Sequence, residues 1–84
     1  MVELRLFASA REAAGLRADT FDRAEAPTLA RLLDAACARY GDEFVAVLAT
    51  ARVWVNGDEP ADGPRTVLAE GDEVAVLPPV SGGA

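Results

Sequence analysis

Residues 73–77 read Glu-Val-Ala-Val-Leu, and Pro78-Pro79 follows them at once. β-branched valines alternate through this run and the turn signal Gly71-Asp72 precedes it, so the run predicts a strand. The two prolines end that strand, because proline has no N–H to donate to a neighbouring strand. Near the other end of the chain, residues 2–6 alternate apolar and charged side chains, which is typical of a strand with one buried face. These two strands are the most apolar, which favours central positions in a mixed sheet.

The best predicted helix spans residues 28–40. Thr28 is placed to cap it, because its hydroxyl can accept from an otherwise unpaired backbone N–H of the first turn. Gly41 follows as a left-handed stop. One apolar stripe recurs at helical spacing and consists of Leu29, Leu32, Leu33, Ala36, Cys37 and Tyr40. We therefore expect Cys37 to be a core residue and not a reactive thiol.

The remaining segments complete the order of elements. Residues 9–14 predict a short helical turn, residues 17–23 a strand and residues 42–50 a second short helix. A strand over residues 52–55 runs into Asn56-Gly57, a hairpin turn signal, and a mostly irregular loop follows with a weak strand at residues 59–61. The order predicts an α+β fold, in which one main helix packs across one face of a mixed sheet. We expect a single domain over residues 1–77, followed by a projecting tail, residues 78–84.

Composition excludes several functions. The 84 residues carry fourteen acidic and eight basic side chains, a net charge of −6, which argues against nucleic acid as a partner. The acidic balance favours a basic protein partner, or it only keeps a small protein in solution. One cysteine and no histidine leave no Cys/His metal site, and with no lysine the usual catalytic sets are missing. The charged start of the chain is neither a signal peptide nor a membrane segment, so we expect a cytoplasmic protein without a membrane partner.

The segment after Pro79 reads Val80-Ser81-Gly82-Gly83-Ala84. Prolines stiffen the chain where it leaves the last strand. The six residues 78–83, if extended, reach roughly 20 Å at about 3.3 Å each. Glycines have no Cβ, so Gly82 and Gly83 can thread a channel that is too narrow for side chains. A slim arm of this kind suits delivery of an acyl end into another protein's active site. The alternative is an ordinary frayed chain end.

Two stretches resemble a known family. Residues 7–15, Phe-Ala-Ser-Ala-Arg-Glu-Ala-Ala-Gly, are similar to its first-strand-to-turn segment, and residues 68–83, ending Pro-Pro-Val-Ser-Gly-Gly, are similar to its C-terminal signature. The family is the MoaD-type small subunit of molybdopterin synthase, a ubiquitin-like sulfur carrier related to the thiamine sulfur carrier. The resemblance covers nearly the whole chain, including Trp54-Val55-Asn56, and implies a β-grasp fold.

The resemblance also implies a mechanism. A partner enzyme uses ATP to adenylate Gly83, and a sulfur donor protein displaces AMP to leave a thiocarboxylate. The tail then enters the large synthase subunit, where sulfur passes to cyclic pyranopterin monophosphate. The chain is thus a stoichiometric sulfur donor with no bound cofactor, and not an enzyme on its own.

The resemblance assigns roles to further positions. Gly82 gives clearance, and Pro78, Pro79, Val80 and Ser81 line the partner's channel. Phe7, Arg11 and Leu77 match positions at or near the partner surface. For Phe7 and Leu77 the alternative is ordinary core packing.

The chain departs from the family at one position. The family ends at Gly-Gly, whereas here Ala84 follows Gly83. Proteolytic removal of Ala84, an activating enzyme that tolerates alanine, and an inactive copy are the three explanations, of which we favour removal. Two other functions stay open: a sulfur carrier for thiamine, cysteine or nucleoside thiolation, and a ubiquitin-like modifier or interaction domain.

Overall fold

The computed structural model of the chain describes residues 1–79. The predictions for Val80, Ser81, Gly82, Gly83 and Ala84 lie outside the described residues. Within residues 1–79 the elements are, in chain order, β1 Val2–Leu6, α1 Ala8–Ala14, β2 Ala18–Phe21, α2 Leu29–Tyr40, α3 Asp42–Leu48, β3 Arg52–Val55, a 3₁₀ turn Gly63–Arg65 and β4 Glu73–Leu77.

The described strands form one mixed sheet in the order β2-β1-β4-β3. β1 runs parallel to β4, with Leu4 opposite Val74 and Leu6 opposite Val76, and the two outer pairs are antiparallel. The first and last strands are therefore the central pair, as their apolar character predicts. The predicted α+β class and β-grasp architecture are confirmed.

The core lies between the sheet and the helices. Alternate residues of the central strands face the helices, and α2 contributes a buried stripe to the same layer. The buried apolar residues are Val2, Leu4, Leu6, Ala10, Phe21, Ala26, Leu29, Leu32, Ala36, Phe44, Leu68, Val74 and Val76. Thr28 caps α2 as predicted, because its Oγ1 accepts from the backbone N–H of Arg31 at 3.3 Å.

Two details differ from the sequence predictions. The weak strand at residues 59–61 is absent from the described structure, where only an isolated bridge joins Val55 to Asp58 beyond the Asn56-Gly57 turn. Pro60 has no N–H for a ladder, which explains this outcome. Cys37 is partly and not fully buried, and burial, followed by the nearby charge of Asp34, raises the pKa of its thiol. A raised pKa lowers the thiolate fraction, so the expectation of an unreactive thiol is unchanged.

None of the helices in the described part of the chain is both long and apolar enough to cross a membrane.

Candidate functional site

The tail leaves the sheet at the end where β1 and β4 finish together. Because these strands are parallel, Leu6 and Leu77 lie at the same edge of the sheet. The backbone N–H of Phe7 donates to the carbonyl of Val76 at 3.3 Å, which extends the pairing by one residue. Phe7 therefore lies beside the segment formed by Leu77, Pro78 and Pro79, which we call the tail root. Within the tail root, Leu77 is partly buried, Pro78 is buried and Pro79 is exposed.

Phe7 is held by its backbone while its side chain faces solvent. Its carbonyl accepts from the N–H of Ala10 at 3.0 Å and from the N–H of Arg11 at 3.4 Å, so it begins α1. Its side chain is 44% exposed, which rules out ordinary core packing for this residue. Ala8 follows with a φ of 51°, a left-handed conformation that is costly for a residue with a Cβ. Strain of this kind is often found at functional sites.

The sheet face opposite the helices carries the side chains that point the same way as Phe7. Along β1 and β4 this face bears the ion pair between Arg5 Nε and Glu73 Oε2 at 2.8 Å, with Glu3 Oε1 at 3.5 Å from the same nitrogen. Towards the tail root the face becomes apolar, with Ala75 and Leu77. Along β4 this face thus changes from charged at Glu73 to apolar at Ala75 and Leu77, while the neighbouring strands place Arg5 opposite Ala75 and Arg52 opposite Leu77.

A cavity of about 350 Å³ opens on the β3 side of the tail root. Its lining combines apolar groups with one cation and consists of Thr50, Arg52, Trp54, Leu77, Pro78 and Pro79. Trp54 reaches the tail root because it pairs with Ala75 in the β3–β4 register. The sequence prediction did not include Trp54 among site residues. The sequence indicated that Trp54 lies in a strand, but only the pairing register of that strand with β4 decides which residues Trp54 contacts.

A second cleft, of about 210 Å³, lies on the β1 side of the tail root. It is lined by Arg5, Leu6, Phe7, Arg11 and Arg17, and we call it the arginine cleft. Arg17 is held here because its carbonyl accepts from the N–H of Leu6 at 2.9 Å. Arg11 is exposed on α1, as a surface role requires. Arg17 was missed by the sequence prediction, since only the turn between α1 and β2 brings it beside Arg11.

The opposite end of the central strands is closed by hydrogen bonds. Asp72 accepts from the backbone N–H of Ala69 at 2.7 Å and from Asn56 Nδ2 at 2.9 Å, while Asn56 Oδ1 accepts from the N–H of Glu73 at 2.9 Å. The bond from Ala69, and then that from Asn56, lowers the pKa of the Asp72 carboxyl. The predicted turn role of Asp72 fits these contacts.

No group of three or more potential metal-ligating side chains lies together within residues 1–79. A polar cluster joins Tyr40 to Asp19, with the hydroxyl donating to Oδ2 at 2.6 Å. Burial, together with this bond, raises the pKa of Tyr40 well above its usual range, so the hydroxyl stays protonated. The cluster fastens α2 to β2.

Comparison with known proteins agrees with this geometry. The model of the ThiS family matches residues 4–83, and the chain therefore belongs to this family of ubiquitin-like sulfur carriers. Such carriers work with partner enzymes. The resemblance noted from the sequence is confirmed at the level of this family. No curated protein matches the chain.

Several solved structures share the fold over nearly the whole chain. Small archaeal modifier protein 1 of Haloferax volcanii is 30% identical, with a TM-score of 0.77, and 95% of this chain and 96% of that chain are covered. A Pyrococcus furiosus protein described as molybdopterin converting factor, subunit 1, is 25% identical, with a TM-score of 0.81 and coverage of 94% and 97%. CysO of Mycobacterium tuberculosis, at 20% identity, a TM-score of 0.77 and coverage of 95% and 100%, shares the fold.

Proposed function

We propose that this chain is the small subunit of a molybdopterin synthase and donates sulfur from a thiocarboxylate on Gly83. The observation that carries the proposal is the tail root. Only Val80 and Ser81 separate it in the sequence from the Gly82-Gly83 pair, which lies within the family match. Two clefts flank the tail root at the end of the sheet where Phe7 is exposed. Similarity to the Pyrococcus furiosus protein supports the molybdopterin branch of the family.

The chemistry follows from the weakness of a carboxylate as an acyl electrophile. A Gly83 carboxylate oxygen attacks the α-phosphate of ATP on an activating enzyme and releases pyrophosphate. Hydrosulfide delivered by a donor protein then attacks the acyl carbon and expels AMP, which leaves the thiocarboxylate and releases a proton. In the synthase, sulfur passes to cyclic pyranopterin monophosphate and water restores the carboxylate.

Under this proposal the chain positions its tail and its partners supply the catalytic side chains. Phe7, Arg11 and Leu77 contact the large subunit around the tail root. Pro78, Pro79, Val80 and Ser81 line the partner's channel, and Gly82 gives clearance there. Ala84 is removed before Gly83 is activated.

The test is loading followed by transfer. A chain that ends at Gly83 is incubated with the activating enzyme, ATP and the sulfur donor, and its intact mass is measured. We expect one oxygen to be replaced by sulfur, and then molybdopterin to form when the large subunit and cyclic pyranopterin monophosphate are added. A chain that ends at Gly82 is the matched control and should yield no molybdopterin. Failure of the Gly83-ended chain to gain sulfur would refute the proposal.

A second candidate is protein modification, which the 30% identity to small archaeal modifier protein 1 favours. Here the same activated Gly83 forms an isopeptide bond with a lysine of another protein. The sequence has no lysine, so the chain cannot build lysine-linked chains on itself. Recovery of the tagged chain from its native cell discriminates the two roles. Covalent conjugates that depend on Gly83 support modification, whereas a non-covalent complex with the large subunit supports sulfur transfer.

A further inference from the structure

The arginine cleft concentrates positive charge at the tail root of an acidic protein. Of the eight basic side chains in the sequence, three line this one cleft of about 210 Å³, although the whole chain carries a net charge of −6. The net charge of the whole chain favours a basic protein partner, but that expectation does not apply at this cleft. A local potential, and not the total charge, governs contacts within a Debye length of about 8–10 Å.

The fold uses several other arginines for its own contacts. Arg5 pairs with Glu73 at 2.8 Å. Arg23 Nε donates to the carbonyl of Leu68 at 2.9 Å. Arg39 pairs with Asp19 at 2.9 Å and lies 3.9 Å from the centre of the Phe21 ring. These arginines are positioned by contacts inside the domain.

Arg11 and Arg17 differ from these three. Within residues 1–79 neither forms an ion pair or a side-chain hydrogen bond, and both are exposed. Glu12 is the next residue to Arg11 in α1, but it is not part of the cleft lining. The exposed side chain of Phe7 lines the same cleft as these cations and adds an apolar surface to it. The cleft thus offers two guanidinium groups and an aromatic surface side by side.

We propose that the arginine cleft docks an acidic segment of the protein that handles the tail, with carboxylates on Arg11 and Arg17 and an apolar side chain on Phe7. Guanidinium groups bind carboxylates with two parallel hydrogen bonds, and aromatic rings beside them anchor interfaces. A free phosphate would use the two arginines and leave Phe7 exposed, so the mixed lining favours a peptide segment. The inference rests on the proposed function in one respect only, which is that the docked acidic segment belongs to a protein that handles the tail.

The test uses the full chain labelled with ¹⁵N and titrated with a hexaglutamate peptide at low salt. We expect the amide signals of residues 7–17 to shift together and saturably. The variant Arg11→Gln/Arg17→Gln should lose at least about fivefold in affinity, since charge-assisted contacts at two exposed sites are removed. A hexalysine peptide should cause no shifts in this segment.

The matched control is Arg31→Gln/Arg65→Gln, which lowers the net charge equally at two exposed positions outside the cleft. Its affinity for hexaglutamate should stay within about twofold of that of the unchanged chain. Equal losses in both double variants, shifts centred elsewhere, or stronger binding of inorganic phosphate than of the peptide would overturn the inference. The amide spectrum of each variant verifies that it folds.

The result of the peptide titration can be separated from the result of the sulfur-loading experiment. The titration uses neither ATP nor a sulfur donor, so it reports on the cleft even if Gly83 gains no sulfur. Conversely, efficient loading and transfer with no peptide binding would leave the proposed function in place and remove the acidic-segment docking.

Discussion

The two ends of the central β1–β4 pair are built in contrasting ways. At the end away from the tail, the carbonyl of Met1 accepts from Gly71 N–H at 3.0 Å, the Met1 ammonium pairs with Glu70, and Asp72 and Asn56 join the neighbouring turns. We call this the closed end. At the tail root, the open end, Phe7 is exposed and two clefts remain open.

This contrast separates stability from binding. Polar groups at the closed end find partners inside the domain, so they contribute to folding and leave little for another molecule to bind. Apolar and cationic groups at the open end are left facing solvent, which costs stability and suits recognition. The difference teaches that the groups left without partners inside the domain lie at the open end, which is the surface that the proposed function assigns to partner binding. Four experiments test this division.

The largest expected effect is on partner binding at the open end. Phe7→Ala should weaken binding of the large synthase subunit by about 30-fold, or about 2 kcal/mol, as expected for an aromatic anchor. Titration calorimetry measures the affinity. The free energy of unfolding should change by less than about 1 kcal/mol, because the ring is already 44% exposed.

Val45→Ala is the control for this experiment, since Val45 is 46% exposed on α3 and lines neither of the two clefts. Its binding affinity should be unchanged. Comparable losses of affinity in both variants would show that the open end has no special role.

At the closed end, Asn56→Ala should lower the free energy of unfolding by about 2 kcal/mol and leave partner binding unchanged. It removes the hydrogen bonds to Asp72 and Glu73 and places a Cβ-bearing residue without a polar side chain at a φ of 52°. Urea unfolding measures the change. Asn56→Gly loses the same bonds without the backbone strain, so its loss should be about 1 kcal/mol smaller. Identical losses would mean that the left-handed backbone is not strained here.

Acid should destabilise the closed end through Asp72. Its folded pKa lies below the unfolded value because of the bonds from Ala69 and Asn56. The resulting stabilisation is therefore full above the unfolded pKa of about 4 and is lost as pH falls through the folded pKa. Thermal unfolding from pH 6 down to pH 2 should show a smaller acid loss in Asp72→Asn than in the unchanged chain. Parallel pH profiles for the two proteins would contradict this assignment.

The smallest effect concerns the strained start of α1. Ala8→Gly should raise the free energy of unfolding by about 0.5 kcal/mol, because relief of a φ of 51° slightly outweighs the extra freedom of the unfolded chain. Ala13→Gly, inside the same helix, should instead lower it by about 1 kcal/mol. Thermal melts of the pair decide the matter, and destabilisation by Ala8→Gly would show that the strain is not real.

The sequence by itself determined the elements and the central place of β1 and β4. Alternation in residues 2–6 and 73–77, the stripe of α2 and the capping residue Thr28 are local signals, and each confers its structure within a few residues of itself. Gly41 ends α2 as predicted, but its φ of 102° and ψ of −172° are not the left-handed helical values expected of it. Local signals also indicated the family, because the residues of its C-terminal signature follow one another in the sequence.

Only the tertiary structure decided which side chains meet at the tail root. Trp54 reaches the tail-root cavity through the β3–β4 register, and Arg17 reaches Arg11 through a turn. The backbone of Phe7 is hydrogen-bonded to β4 through its N–H and to α1 through its carbonyl, and its side chain faces solvent. Alternation alone did not decide whether this side chain is exposed or packed in the core. Strand register and packing depend on contacts between distant parts of the chain, so no local pattern specifies them.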